Sequence, residues 1–194
     1  MICGAIMRAN VLLSVTLVSL SGIACSAELR DVVVEREDNH YELRSEALFD
    51  VSPESLYDVL SNYDLFTKFT SAIVESRNVE ADEEGRPRFY SRMEGCVMLW
   101  CKSFIRNGHL LLKPKTEIIA ISNPDESDFT LSKERWELVP EGEGTVLVYE
   151  FEMEPDFWVP PVIGPYLIMR ALRAGAERAI NRIEALAVAI PAEQ

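Results

Sequence analysis

The final third of the chain carries the pattern that most limits its fold: two alternating strands, a proline-aromatic hinge, then one long amphipathic helix. In the first strand Trp136 and Leu138 share one face, Arg135 and Glu137 share the other, and Pro140 closes it. Over residues 145–153, Leu147, Tyr149, Phe151 and Met153 recur at period two, the spacing of side chains on one face of a strand. Glu141-Gly142-Glu143-Gly144 between them has the composition of a tight hairpin turn. After Phe157-Trp158-Val159-Pro160-Pro161, apolar residues recur at helical spacing over 164–189: Met169, Leu172, Ala176, Ala179, Ile183 and Leu186, followed by Ile190. Arg170, Arg173, Glu177, Asn181 and Glu184 fall on the opposite side. At about 1.5 Å per residue this helix is about 39 Å long, enough to cross a whole sheet. The pattern predicts a sheet that grips one terminal helix.

The 194 residues suit one domain with its own core, and residues 1–27 read as an export signal. Met7-Arg8 precedes an apolar run at 11–20 with the charge and length of a secretory signal, too short to span a bilayer comfortably. Cleavage after Ala27, with Cys25 at the minus-three position, leaves a mature single domain of residues 28–194, periplasmic or secreted. A second processing stays open: Gly22-Ile23-Ala24-Cys25 as a lipoprotein site, with Cys25 acylated as a lipid anchor. The signal holds one arginine and no acid, so its removal takes the formal net charge from −13 to −14. So acidic a surface, with no basic block, repels phosphate backbones and argues against nucleic acid as a partner. No second apolar run is long enough to cross a bilayer, so no transmembrane segment is expected in the mature chain.

Two cysteines remain, Cys96 and Cys101. In an oxidising compartment such a pair suggests a disulfide, with two inert thiols as the alternative. Positions five apart on a plain strand point to opposite faces, so a bulge or turn through residues 97–100 is required. These cysteines and the distant His40 and His109 form no zinc ligand set, and no metal or cofactor is expected.

Further upstream, Tyr41, Leu43, Ser45, Ala47 and Phe49 alternate with Glu42, Arg44, Glu46 and Leu48, a half-buried strand. Ser52 can cap a helix, Pro53 suits its first position, and Glu54 favours the positive end of the dipole. Leu56, Val59 and Leu60 give that helix its apolar face, and a second short helix opens at Asp64 and runs to Phe69. Six strands follow at about 72–79, 86–94, 98–108, 113–122, 129–139 and 145–154. Turns are expected at 81–85, Asn107-Gly108, 123–127 and 141–144. Short connections imply an antiparallel meander, and the fold class is α+β.

This order, with the phrases Val51-Ser52-Pro53-Glu54-Ser55-Leu56-Tyr57-Asp58-Val59-Leu60, Asn62-Tyr63-Asp64 and Trp136-Glu137-Leu138-Val139-Pro140, resembles the START-like (SRPBCC) superfamily. Within it the chain is most similar to the polyketide cyclase/dehydrase and coenzyme Q-binding branch of helix-grip proteins, as an exported bacterial member. The resemblance covers residues 41–187 and carries no catalytic signature. It implies a curved antiparallel sheet wrapped around the C-terminal helix, with two short helices after the first strand and an apolar ligand cavity between sheet and helix. The export signal departs from the better-known cytosolic and mitochondrial members.

On that architecture the inward-facing candidates are Phe89, Met93, Trp136, Tyr149 and Phe151 from the sheet, with Tyr166 and Met169 from the start of the long helix. Phe157 and Trp158, on the hinge, would flank a cavity mouth. The same residues would also serve as ordinary core, but two Tyr and two Trp among them can orient a ligand headgroup while their bodies stay apolar. Ala174-Gly175-Ala176 reads as a notch for close helix-on-sheet packing. Arg88, Arg92 and Arg106 are expected on the solvated outer sheet face, and Arg173 in a pair with Glu177 one turn on. The chain has no nucleophile elbow, no Gly-rich phosphate loop and no carboxylate pair fixed by spacing. His40 is expected at a loop edge before the first strand and His109 near the turn at Asn107-Gly108, both surface-exposed.

The sequence thus points to an exported protein that binds a lipid, quinone or other apolar small molecule without covalent chemistry of its own. A cyclase- or hydratase-like enzyme using the same cavity is the first alternative, and a buried titratable group facing that cavity would be its mark. A protein-interaction module using the outer sheet face or the apolar run at 97–100 is the second.

Overall fold

The computed structural model describes residues 27–97, 100–161 and 163–190, and for residues 96, 97 and 100 the backbone alone. The expected signal segment, Cys25 and the tip of the 97–100 run lie outside the described residues. Eight strands, β1 (Glu28–Glu37), β2 (His40–Phe49), β3 (Ile73–Val79), β4 (Arg88–Val97), β5 (Trp100–Lys113), β6 (Glu117–Ser122), β7 (Phe129–Glu141) and β8 (Gly144–Pro155), form one antiparallel sheet. Its order is β1-β2-β8-β7-β6-β5-β4-β3. Helices α1 (Pro53–Leu60) and α2 (Phe66–Phe69), with a 3₁₀ turn at Tyr63–Leu65, link β2 to β3, and α3 (Gly164–Ala189) follows β8. This is the helix-grip arrangement.

Local chemistry sets the elements where the sequence marks them. The Ser52 hydroxyl accepts the Ser55 N–H at 3.3 Å, Pro53 opens α1, and Leu56, Val59 and Leu60 are its buried face. The turn at 142–143 joins β7 to β8, with Gly142 at φ 64°.

Three expectations need correction. The sheet begins one strand earlier than the alternation from Tyr41 implies: β1 pairs with β2 through a turn where Asp38 takes φ 51°. The consecutive valines at 32–34 hide its period, although Val34 is buried and Val33 exposed. Asn107-Gly108 is no turn, for β5 runs straight through it to Lys113, and the chain reverses at residues 114–116 with Lys115 at φ 66°. Gly108 serves close packing instead: a Cβ there would stand 2.0 Å from the Ile121 carbonyl oxygen of β6. The histidines are not at exposed loop edges either, since His40 opens β2 and His109 lies inside β5, both half-buried.

The inner face of the sheet carries two apolar clusters. One gathers α1, α2 and the C-terminal end of α3 over Ile118, Trp136 and Leu138, and includes Ile183 and Ala187. The other surrounds Val34, Tyr41, Leu43, Phe129, Phe151 and Met153, and is covered by Met169, Leu172 and Ala176 only partly. The long helix is therefore buried at Gly164 and Pro165 and again at Ile183, Glu184 and Ala187, and is only half-buried between them over the second cluster. Glu184, on the polar side by spacing, is buried because its carboxylate accepts the Asp50 N–H at 3.0 Å, tying α3 to the entry of α1. Within the Ala174-Gly175-Ala176 notch Ala176 packs on the second cluster, whereas Gly175 makes no close approach, for a Cβ there would meet nothing within 4 Å.

Candidate functional site

Between the two clusters a polar group crosses the inner face. Arg106 of β5 shares the strand face of Phe104 and Leu110, so it points inward, not to solvent as expected. Its Nη1 donates to Glu134 Oε1 at 2.7 Å. Glu134 reaches the same face because it precedes Trp136 and Leu138 by one and two steps of the β7 alternation. The Tyr63 hydroxyl donates to Glu134 Oε2 and the Tyr149 hydroxyl to Oε1, both at 3.3 Å. Arg106 is 1 % exposed and Glu134 6 %.

Aromatic rings surround this group. The Arg106 guanidinium carbon lies 5.5 Å from the centre of the Phe89 ring and 5.3 Å from that of Phe151, within cation–π range of both. Tyr63 stacks on Phe66 at 4.0 Å and on Phe89 at 4.4 Å, while Trp136 stacks on Tyr149 at 5.4 Å. Burial, reinforced by the Glu134 charge, pushes both tyrosine hydroxyls well above their ordinary range, although the Arg106 charge opposes it. For Arg106, burial pulls the other way, but the Glu134 carboxylate outweighs it and holds the guanidinium charged.

The group is not closed on itself. Arg106 Nε and Nη2 have no hydrogen-bond partner among the described residues, and neither do the buried hydroxyls of Ser91, Ser122 and Ser132. Ser91 is opposite Arg106 in the sheet register. Native interiors satisfy nearly all such atoms, because an orphaned buried donor costs about 1–3 kcal/mol. These unmatched donors share the inner face with Glu134 and Trp136.

Of the nine candidates from the sequence, Phe89, Phe151, Trp136 and Tyr149 converge on this group. Met93 is half-buried and touches both clusters. Phe157 packs with Phe104 at 4.2 Å and Phe129 at 5.9 Å, under the Lys102 ammonium at 4.5 Å, and Met169 covers the same region. Trp158 and Tyr166 stand in solvent. Tyr166 is three residues, or about 60°, round the helix from Met169, which carries it off the covered stripe.

Arg106, Glu134, Tyr63 and the serines are the functional candidates that sequence reasoning missed. Extending the Trp136 and Leu138 alternation back by one step would have found Glu134. A turn placed at Asn107-Gly108 concealed Arg106. Arg88 and Arg92 do lie on the outer face, paired with Glu126 at 2.7 Å and with Glu94 at 2.9 Å.

A groove of about 440 Å³ runs outside, between β1 and the start of α3, lined by Val34, Met169, Ala174, Arg170, Arg173 and Glu177. The expected Arg173–Glu177 ion pair is not formed. Around the hairpin of β4 and β5, Val97 is opposite Trp100 and Cys96 opposite Cys101. The Cys96 side chain lies outside the described residues.

Comparison with known families gives a match over residues 49–173 to the model for "Polyketide cyclase / dehydrase and lipid transport". No curated protein sequence matches. Among solved structures, a START superfamily protein from Mycobacterium smegmatis is 17 % identical with TM-score 0.60, covering 77 % of this chain and 99 % of its own. A STAR-related lipid transfer protein from Xanthomonas axonopodis is 13 % identical with TM-score 0.58, covering 78 % and 98 %. The Zhui aromatase/cyclase from Streptomyces sp. R1128 is 12 % identical with TM-score 0.52, covering 77 % and 92 %. At these identities the likeness is one of fold.

Proposed function

Since the chain belongs to the polyketide cyclase/dehydrase and lipid transport family, we propose that it binds an apolar small molecule, a lipid or quinone among the candidates, that bears an oxygen-containing polar end. The observation that carries this reading is the buried Arg106, with two free donor nitrogens between two aromatic rings. The polar end of the ligand is assigned to Arg106 and the neighbouring serines. Its apolar body is assigned to the half-covered region under the start of α3, among Met93, Phe104, Phe157, Met169 and Leu172. The test is native mass spectrometry of the protein purified without detergent, followed by solvent extraction. A defined apolar compound released from the wild type and lost from Arg106→Met supports the reading. A clean apo mass that does not change with a lipid and quinone panel removes it.

A cyclase- or hydratase-like reaction in the same place has one observation in its favour, the buried ionisable pair with two protonated tyrosine hydroxyls beside it. Conversion of an extracted ligand by the wild type, lost in Tyr63→Phe and Tyr149→Phe with binding intact, would establish it.

Export and the Cys96–Cys101 disulfide belong to the same proposal. Ala27 packs into the first core cluster, so N-terminal sequencing discriminates between a chain beginning at Glu28, which lacks that contact, and one beginning at an acylated Cys25. The facing register of Cys96 and Cys101 supports the disulfide, and peptide mapping without reductant tests it.

A further inference from the structure

The start of α3 and the hinge before it expose what the rest of the protein hides. Trp158 is 78 % exposed, Tyr166 63 % and Ile163 53 %, three large apolar groups within a short stretch of chain. The arginines beside them are equally unusual. Of the other described arginines, Arg30, Arg44, Arg77, Arg86, Arg88, Arg92, Arg106 and Arg135 have carboxylate partners, and Arg36, without one, lies over the Tyr41 ring. Arg170, Arg173, Arg178 and Arg182 of α3 are all exposed, and none has a carboxylate partner among the described residues. The other charges of α3 are Glu177 and Glu184, and Glu184 is buried on the Asp50 N–H. An otherwise acidic protein thus presents four exposed arginines against one exposed glutamate, Glu177, on a helix that starts beside exposed aromatics.

We propose that the described residues 156–161 and 163–173 form a docking surface for an anionic phospholipid bilayer. Trp158, Ile163 and Tyr166 would enter the boundary between headgroups and acyl chains, where Trp and Tyr place an apolar body and a polar tip together. Arg170 and Arg173 lie one and two turns further along and would meet lipid phosphates, and the groove between β1 and α3 puts apolar surface beside these two cations. Glu177, in the same groove, and the exposed Asp156 subtract from this positive charge, while acids more than a Debye length away, about 8 Å in physiological salt, are screened. No described helix is long and apolar enough to cross a membrane, so the contact is peripheral. A nucleic acid would meet the same cations, but its phosphates offer no apolar phase for Trp158 and Ile163. The proposal stands apart from the ligand reading and does not need it.

The protein, in the processed form isolated from its own cells, is mixed with vesicles of phosphatidylglycerol or of phosphatidylcholine. Sedimentation and hydrogen exchange are then followed together. Phosphatidylglycerol vesicles are expected to bind the protein and protect the backbone of residues 156–170, and phosphatidylcholine vesicles to bind it weakly. Arg170→Glu with Arg173→Glu should weaken binding about ten-fold or more, as two charge reversals at an anionic surface do. Trp158→Ser should weaken it while leaving its salt dependence unchanged. Lys133→Glu, on the outer sheet face, makes the same charge change as each arginine substitution and should have little effect. All the substituted groups are solvent-facing, and matching thermal midpoints would establish that the variants fold. Binding without protection of 156–170, equal losses in Lys133→Glu, or no binding to phosphatidylglycerol at low salt would each overturn the proposal.

Discussion

Tyr63 and Tyr149, one from the turn after α1 and one from β8, donate to different oxygens of a single carboxylate, that of Glu134. Both hydroxyls are held neutral by burial and by the Glu134 charge. A tyrosine whose folded pKa is raised contributes stability that is complete below its unfolded value, about 10, and is lost as pH climbs toward the folded one. Absorbance titration at alkaline pH should therefore show two tyrosines ionising only as the fold is lost. Tyr63→Phe with Tyr149→Phe should flatten the fall of stability above about pH 10.

Arg106 and Glu134 form a buried pair whose halves need each other. Arg106→Met or Glu134→Leu alone should cost about 3–5 kcal/mol in urea unfolding, because each strands a charge in a dry site. The double variant should recover most of that loss. If it also loses the bound compound, the pair is retained for recognition and not for stability.

His40 lies between Glu154 at 3.1 Å and Glu42 at 2.9 Å. Burial lowers its pKa, but the two carboxylates outweigh this and the net direction is up. Its contribution to stability is thus complete below about pH 6.5 and fades as pH rises through the folded value. The stability gap between wild type and His40→Gln should be measurable at pH 5.5, at most about 1 kcal/mol for so exposed a pair, and should shrink by pH 8.

Two glycines should respond in opposite directions. Gly108→Ala drives a methyl into the Ile121 carbonyl and should destabilise by about 2 kcal/mol or more, with the β5–β6 amides exchanging faster. Gly175→Ala meets open space in mid-helix and should stabilise by about 0.5–1 kcal/mol. Thermal unfolding of both variants checks the pair.

Elements with a clean period or a capped start were legible from sequence: α1 from Ser52 and Pro53, α3 over its full span, and β8 from its alternation. β1 was not, because three consecutive valines carry no period. The aromatic shell of the site was also legible, since large apolar side chains advertise the inner face. The polar group inside that shell was not. An arginine or glutamate in a strand is solvated far more often than buried, and only the partner strand, at an unknown distance in sequence, can make it pay. Tyr166 shows the opposite failure: its ring suggested the inner face, whereas helix phase placed it outside, and Trp158, expected at a cavity mouth on the hinge, stands in solvent.

The uneven seating of α3 makes the helix a lever. Its fulcrum is near Glu184, where the carboxylate holds the Asp50 amide and Ile183 and Ala187 are embedded. Tyr166 lies about 27 Å away along the axis, at about 1.5 Å per residue. A tilt of about 10° at the fulcrum would therefore swing the Tyr166 end by about 5 Å, more than the thickness of an aromatic ring. Such a tilt would change how far Met169, Leu172 and Ala176 cover the second apolar cluster, with no strand pairing broken.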